Sequence, residues 1–209
     1  MIIAIDAAST DLSVALADPD GTLIAEDAWS SAQRQSAELL PRLLTLLAGA
    51  GRPLIAATAL AVGTGPGSFT GLRVAMALAK GLAIGLARPA VGVPSLRAWL
   101  DADPGATAAV ARAGARDAYV LLREAEVPRI LDRDELDSLT GPLIAASELA
   151  AAFGLDGSHA PRGASAIARR AAERLAAEPA GDDVSTLEPI YLRAPRGVDV
   201  ESSERVKWL

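Results

Sequence analysis

An α/β fold of two lobes is predicted by three features of the 209-residue sequence. The chain opens on an apolar run at residues 2–6, then two further strand patterns divided by the turn Pro19-Asp20-Gly21, which together read as an antiparallel meander. A buried-strand pattern at residues 54–62 meets a glycine loop and a long apolar helix, the kind of crossover unit that builds a parallel pairing. Past Asp101-Ala102-Asp103-Pro104-Gly105, three weaker strand patterns follow in the same succession as the opening ones.

Each element has its own signal. Residues 2–6 read as a buried strand, 12–18 as an alternating second strand and 22–28 as a third. Residues 36–48 read as a helix with Pro41 near its first turn, where a missing N–H is best tolerated, and Gly49-Ala50-Gly51-Arg52-Pro53 ends it. The run 54–62 is too short for a typical helix and reads as the core strand. Residues 74–87 form a helical pattern that stops at Arg88, because the ring of Pro89 disfavours helical geometry before it. Residues 90–93 read as a short strand, and Ser95 as the cap of a helix to about Leu100.

This order, β-β-β-α-β-α-β-α, gives a mixed sheet with helices on its faces. It matches one half of the actin/sugar-kinase/Hsp70-like ATPase fold, whose ribonuclease H-like lobes flank a cleft. Residues 1–102 are read as the first lobe and 103–209 as a smaller second lobe with a tail. In the second, residues 107–111, 117–123 and 127–131 read as a degenerate meander, which makes the lobes a diverged internal repeat. Asp132-Arg133-Asp134-Glu135 reads as a charged turn, 142–145 as a strand and 147–153 as a short helix. Residues 164–177 read as an amphipathic helix with Arg169, Arg170 and Arg174 on its wet side. Residues 188–193 read as a terminal strand, and 194–209, with Trp208, as a loose tail.

Composition narrows the function. Hydrophobic residues make up 51% and aromatics only 3%, so stacking platforms for single-stranded nucleic acid are scarce. The net charge of −6 argues against nucleic-acid binding through the overall field. The charge is uneven: residues 39–100 carry Arg42, Arg52, Arg73, Lys80, Arg88 and Arg97 and no acid, a stretch suited to an acidic partner or an RNA backbone, or simply solvated. With no cysteine there is no thiolate chemistry. The opening Met1-Ile2-Ile3-Ala4-Ile5-Asp6 does not read as a signal peptide. No uninterrupted apolar run approaches the roughly 18 residues of a membrane span. A cytoplasmic protein without a membrane partner is expected.

The loop Gly63-Thr64-Gly65-Pro66-Gly67-Ser68-Phe69-Thr70-Gly71-Leu72-Arg73 invites a phosphate-binding reading, since backbone N–H groups at a helix start approach anions. Its spacing fails both the P-loop and the dinucleotide fingerprint. In the helix after it, Gly71, Ala75, Ala79 and Ala83 recur every fourth residue, as do Ala77, Gly81 and Gly85, beside a ridge of Val74, Leu78, Leu82 and Leu86. Residues four apart share a face. The small faces serve close packing within the lobe, a second protein with Arg73 and Lys80 at the rim, or both.

Catalytic groups are scarce. One histidine, His159, reads as a surface loop residue, and one His without Cys does not make a usual zinc site. No G-x-S-x-G elbow exists for a serine nucleophile. Asp6 ends the first strand beside Ser9 and Thr10; there a carboxylate either holds a hydrated magnesium ion or caps the following turn.

Three stretches resemble the TsaB/YeaZ family. They are the glycine loop with Ala79-Lys80-Gly81-Leu82-Ala83, the opening Ile3-Ala4-Ile5-Asp6-Ala7-Ala8-Ser9-Thr10, and Glu188-Pro189-Ile190-Tyr191-Leu192-Arg193. They span nearly the whole chain in order. The resemblance implies the two-lobed ATPase-like fold in a non-catalytic subunit that carries no cofactor. It implies pairing with a homologous TsaD-type subunit, which transfers threonylcarbamoyl to the adenosine 3′ of the anticodon in tRNAs reading codons that start with A. It implies a TsaE-type ATPase as a third component, tRNA contact only through the complex, and a homodimer when alone. Pairing through the helices around the glycine loop points to Phe69, Thr70, Arg73, Ala75, Met76, Ala79, Lys80 and Ala83 as contact residues. A vestigial nucleotide or phosphate loop would comprise Asp6, Ser9, Thr10, Gly65 and Gly67. Where the catalytic relative carries its H-x-x-x-H metal ligands, this chain has Ser95 and Trp99, so that metal site is expected to be missing. Gln35-Ser36-Ala37 and Arg116-Asp117-Ala118-Tyr119 depart from the family pattern. The alternative reading is an independent small-molecule kinase or ATPase, or a metallopeptidase-like enzyme, on the same fold.

Overall fold

The computed structural model describes residues 1–31, 34–155 and 162–192. The opening meander is β1 (Ile2–Asp6), β2 (Asp11–Ala17) and β3 (Leu23–Ser30), paired antiparallel in sequence. After α1 (Gln35–Gly49), β4 (Ala59–Gly63) pairs parallel with β1. After α2 (Phe69–Leu86), β5 (Ala90–Val93) pairs parallel with β4, giving the order β3-β2-β1-β4-β5. The helix α3 (Ser95–Ala102) leads to the second sheet.

That sheet is built from β6 (Ala108–Arg112), β7 (Ala118–Leu122), β8 (Arg129–Leu131) and β9 (Leu143–Ala145). Its order, β8-β7-β6-β9, and its two antiparallel and one parallel pairings repeat the first four strands of the first sheet. The fold is thus the two-lobed one expected, with a shortened copy as second lobe. The helices α4 (Arg133–Asp137) and α5 (Ser147–Phe153) cover one face of that copy through Leu136, Leu149 and Phe153.

Strand periodicity explains how the first sheet is covered. Side chains alternate between faces, so Ile3 and Ile5 meet the inward residues of α1 and α2, among them Leu39, Leu43, Ala75, Met76, Ala79 and Ala83. Ile2 and Ala4 point the other way, onto α6 (Gly163–Ala177), through Ala164, Ile167, Ala168 and Ala171. The helix α6 follows the second sheet in sequence yet packs on the first. Mostly alanine on both sides lets it lie close to the strands.

Several boundaries moved. The stretch 54–62 is a 3₁₀ turn at Leu54–Ala56 and only then a strand. The helix α2 begins at Phe69, one turn and more before the predicted residue 74, because Ser68 accepts from the Gly71 N–H at 3.2 Å and supplies a cap. It ends at Ala87, which takes a left-handed φ of 51°. Pro41 lies in the second turn of α1 rather than the first. Asp132 and Glu135 form a capping box that winds the charged stretch into α4. Ser95 is the first residue of α3 and does not cap it. By length and a mean hydropathy of 1.4, α2 is apolar enough to cross a membrane; here one face is packed on the sheet and the other carries Arg73.

Arginines and a carboxylate tie the lobes together. Arg97 of α3 donates to the carbonyls of Arg123 and Ala125. Arg123 donates back to Leu100, Asp103 and Ala106 at 2.6–2.9 Å. The Asp11 carboxylate accepts from the Ser147 N–H at 2.6 Å. After α6, residues 182–192 run as a strap along β5 and the glycine loop, with a turn closed by the Thr186 and Leu187 N–H groups on Asp183 O. Asp182 N–H donates to Ala90 O, Gly92 N–H donates to the Asp182 carboxylate, and Ile190 N–H donates to Thr64 O. The strand expected at 188–193 is therefore an irregular strap over its described residues. Arg193, His159 and the tail 194–209 lie outside the described residues.

Candidate functional site

Asp6 ends β1 at the junction of the lobes and is 2% exposed. Its Oδ2 accepts from Trp99 Nε1 at 2.6 Å, and its Oδ1 accepts from Ser95 Oγ at 2.9 Å and from the Ala8 N–H at 3.3 Å. Ser95 Oγ in turn accepts from the Gly65 N–H at 3.1 Å. Burial pushes the Asp6 carboxyl above the usual carboxylate range, and the indole, hydroxyl and amide donors pull partly against that. Space is short as well. A Cβ on Gly63 would collide with Oδ1, and one on Gly163 with Oδ2.

A hydrated magnesium ion keeps several waters and prefers octahedral geometry, and this enclosed carboxylate, saturated by fixed donors, does not fit one. Ser95 and Trp99 are spent on the same carboxylate. Among the described residues no three His, Cys, Asp or Glu side chains group as metal ligands. Ser9 is likewise internal: its hydroxyl donates to Asp11 O and accepts from the Asp11 N–H, closing the turn. Thr10 Oγ1 is buried without a hydrogen-bond partner among the described residues.

The glycine loop also faces inward. Ser68 N–H donates to Ala8 O at 2.7 Å, and Cβ atoms on Gly67 and Gly71 would strike the carbonyls of Ala8 and Ala7. Gly65 has a φ of +90°, and its N–H goes to Ser95. The glycines are required by the chain's own backbone at the β1–β2 turn, which occupies the space an anion would need.

The helix α2 divides its small residues between two directions. Ala75, Met76, Ala79 and Ala83 are buried against the sheet, so these four candidate contact residues pack into the lobe's own core, with only an edge of Met76 left at the surface. A helix on a sheet must bury one stripe, and the stripe on Gly71 won because it faces the β1–β2 turn. The opposite stripe, Ala77, Gly81 and Gly85, is exposed, with Ile84 71% exposed beside it. A Cβ on Gly81 or Gly85 would meet nothing within 4 Å. Glycine inside a helix costs about 1 kcal/mol relative to alanine, and no described residue requires it at these two positions.

The neighbouring helix extends this face. Leu39, Leu43 and Leu47 of α1 point inward, while Leu40 and Leu44 are 39% and 45% exposed. Together the outward faces of α1 and α2 form an apolar, shallow surface. At its end stand the other candidates. Phe69, Thr70 and Arg73 are exposed and Lys80 half-buried. The Arg73 guanidinium lies 3.8 Å above the Phe69 ring, and its Nε donates to Tyr191 Oη at 3.0 Å. The rings of Phe69 and Tyr191 are 5.6 Å apart.

Sequence reasoning placed Arg73, Phe69, Thr70 and Lys80 on the surface and missed Leu40, Leu44, Ile84 and Tyr191. The signal for the leucines was present: a second leucine pair displaced by one from the inward series. The contact of Tyr191 with Arg73, 118 residues earlier, had no local signal.

The model of the family TsaD, tRNA N6-adenosine threonylcarbamoyltransferase, matches residues 29–187 of the chain. The tRNA threonylcarbamoyladenosine biosynthesis protein TsaB of Escherichia coli K12 is 42% identical over 96 residues, 46% of this chain and 40% of that protein. The chain thus matches less than half the length of that relative. An uncharacterized protein of Mycobacterium bovis is 30% identical over 204 residues, 93% of this chain and 92% of that one. The solved structure of a Pseudomonas aeruginosa protein with similarity to the peptidase YeaZ superposes with a TM-score of 0.70 at 26% identity, covering 92% of this chain and 99% of that one.

Proposed function

The chain belongs to the TsaB/YeaZ branch of the TsaD family, and from that premise we propose that it is a non-catalytic docking subunit for threonylcarbamoyl modification of tRNA. Its partner is a TsaD-type threonylcarbamoyltransferase subunit, the reaction takes place on that partner, and a TsaE-type ATPase completes the assembly. The modified base is the adenosine 3′ of the anticodon in tRNAs that read codons starting with A. With a net charge of −6, this chain meets tRNA only through the complex. Alone, it pairs with a second copy through the same face, and it works in the cytoplasm.

One observation carries the reading: the outward face of α1 and α2, with Leu40, Leu44, Ala77, Gly81 and Ile84, is apolar and nothing of the described chain covers it. Exposed apolar surface of this kind marks interaction sites, and the small outward face of α2 admits another helix at close range. The enclosed Asp6 supports the non-catalytic half of the reading, since the group a kinase of this fold would use is held by Trp99 and Ser95.

The test is reconstitution of the tRNA modification with the chain present, omitted, or carrying Ile84→Arg. Ile84 is exposed, so the variant keeps its fold. A buried unpaired arginine at an interface costs at least a few kcal/mol, so pairing and modification are lost together. Full modification without the chain, or unchanged co-purification of the variant, would reject the proposal.

A further inference from the structure

At the end of the α1–α2 face, α2 and the strap enclose a groove of about 360 Å³ lined by Arg73, Met76, Ala77, Lys80, Leu187 and Tyr191, with Glu188 and Pro189 on the strap side. We propose that this groove seats an acidic side chain of the transferase subunit, with its carboxylate on Arg73 and an adjoining apolar residue against Met76, Ala77 and Leu187. This rests on the docking function above and names the chemistry of the partner at one place on it.

Three observations lead there. First, Arg73 is preorganised. Its guanidinium is stacked on Phe69 and fixed through Nε by Tyr191 Oη, which leaves its terminal nitrogens without a hydrogen bond among the described residues. A fixed guanidinium loses less conformational freedom when it takes a carboxylate in a bidentate pair. Second, the charge is one-sided on the helix. Arg73 and Lys80 are the ionised residues of α2, and no acid occurs from residue 39 to residue 100. Asp183 of the strap lies near Lys80, whereas Arg73 has no ion pair among the described residues. Glu188 lines the groove from the strap side, so the complementarity is local: the unpaired Arg73 guanidinium, and not a net positive field, is what takes a carboxylate. Third, the chain has two phenylalanines and two tyrosines, and one of each is placed here, 46% and 40% exposed. Aromatic and arginine side chains gathered at one spot are the composition of interface hot spots. The strap is pinned on its other side by Arg174, whose Nη2 donates to Asp182 at 2.5 Å, so Tyr191 is delivered to Arg73 by a braced segment.

The experiment titrates the purified transferase subunit against the full-length chain by calorimetry at low and moderate salt. The variants are Arg73→Ala, Arg73→Lys and Tyr191→Phe, each checked by thermal unfolding. Arg73→Ala weakens pairing roughly 30-fold and flattens its salt dependence. Arg73→Lys recovers the salt dependence and only part of the affinity, since a lysine offers no fork. Tyr191→Phe weakens pairing less than Arg73→Ala, through loss of positioning. Affinity and salt dependence unchanged in Arg73→Ala would overturn the inference. If Ile84→Arg still abolishes pairing in that case, the docking function stands and only the acidic contact is wrong; if neither variant matters, both fail. A loss confined to self-association, with transferase binding intact, also overturns it.

Discussion

Replacing Gly81 by alanine separates what the chain needs for itself from what it keeps for a partner. Gly81 lies well inside α2, and a Cβ there would meet nothing within 4 Å. No contact among the described residues of one chain is disturbed, so at concentrations too low for self-pairing the change acts on helix propensity alone. Alanine is favoured by about 1 kcal/mol at an interior position. For a protein of this size that raises the melting temperature by about 2–4 °C. Gly85 sits in the last turn, where fraying reduces the gain, so Gly85→Ala adds less. Docking responds with the opposite sign. A methyl inserted where a partner helix approaches closely costs about 1–3 kcal/mol, which is roughly a 5-fold to 150-fold loss of affinity. The assays are thermal unfolding of the lone chain, diluted until its melting temperature no longer depends on concentration, and calorimetric titration with the transferase subunit. Unchanged or lower stability would refute the helix argument. Higher stability with unchanged affinity would refute close approach at this stripe.

Two other substitutions test the internal ties through pH. Trp99→Phe removes the indole donor to Asp6 and costs at least about 2 kcal/mol by leaving a buried charged acceptor short of a partner. Asp6 has a folded value above its unfolded one of about 3.9, so its contribution is complete below that and is lost as pH rises through the folded value. Removing a donor to the ionised form makes the Trp99→Phe deficit grow across that rise, and a pH-independent deficit in chemical denaturation contradicts the assignment. Asp182 goes the other way: burial pushes it up, but the Arg174 hydrogen bond, the Gly92 N–H and the Arg174 charge hold it below the usual range. Its contribution is complete above about 3.9 and disappears as pH falls through the lower folded value. The deficit of Asp182→Asn therefore shrinks in acid, and a constant deficit down to that range shows that the strap is not held by this ion pair.

The legible parts of the chain were those whose burial repeats locally. The strand β1 is buried on both sides, so its apolar run announces a central strand; β5 and α5 appear with their predicted ends for the same kind of reason. The start of α2 was misread because its first turn, Phe69 to Leu72, contains a glycine and is stabilised by the Ser68 cap rather than by periodicity. The 3₁₀ turn at Leu54–Ala56 carries the same apolar letters as a strand, and only the pairing of β4 with β1 fixes where the strand begins.

The amino-acid order determined the strand–helix succession and the repeated meander. Folding in three dimensions decided which small stripe of α2 is core and which is surface, because both have the same period and only the position of the β1–β2 turn distinguishes them. It also brought Trp99 onto Asp6, Tyr191 onto Arg73 and α6 onto the first sheet. Contacts between residues so far apart in the chain depend on how helices and sheets stack, and no periodicity of a single segment encodes that.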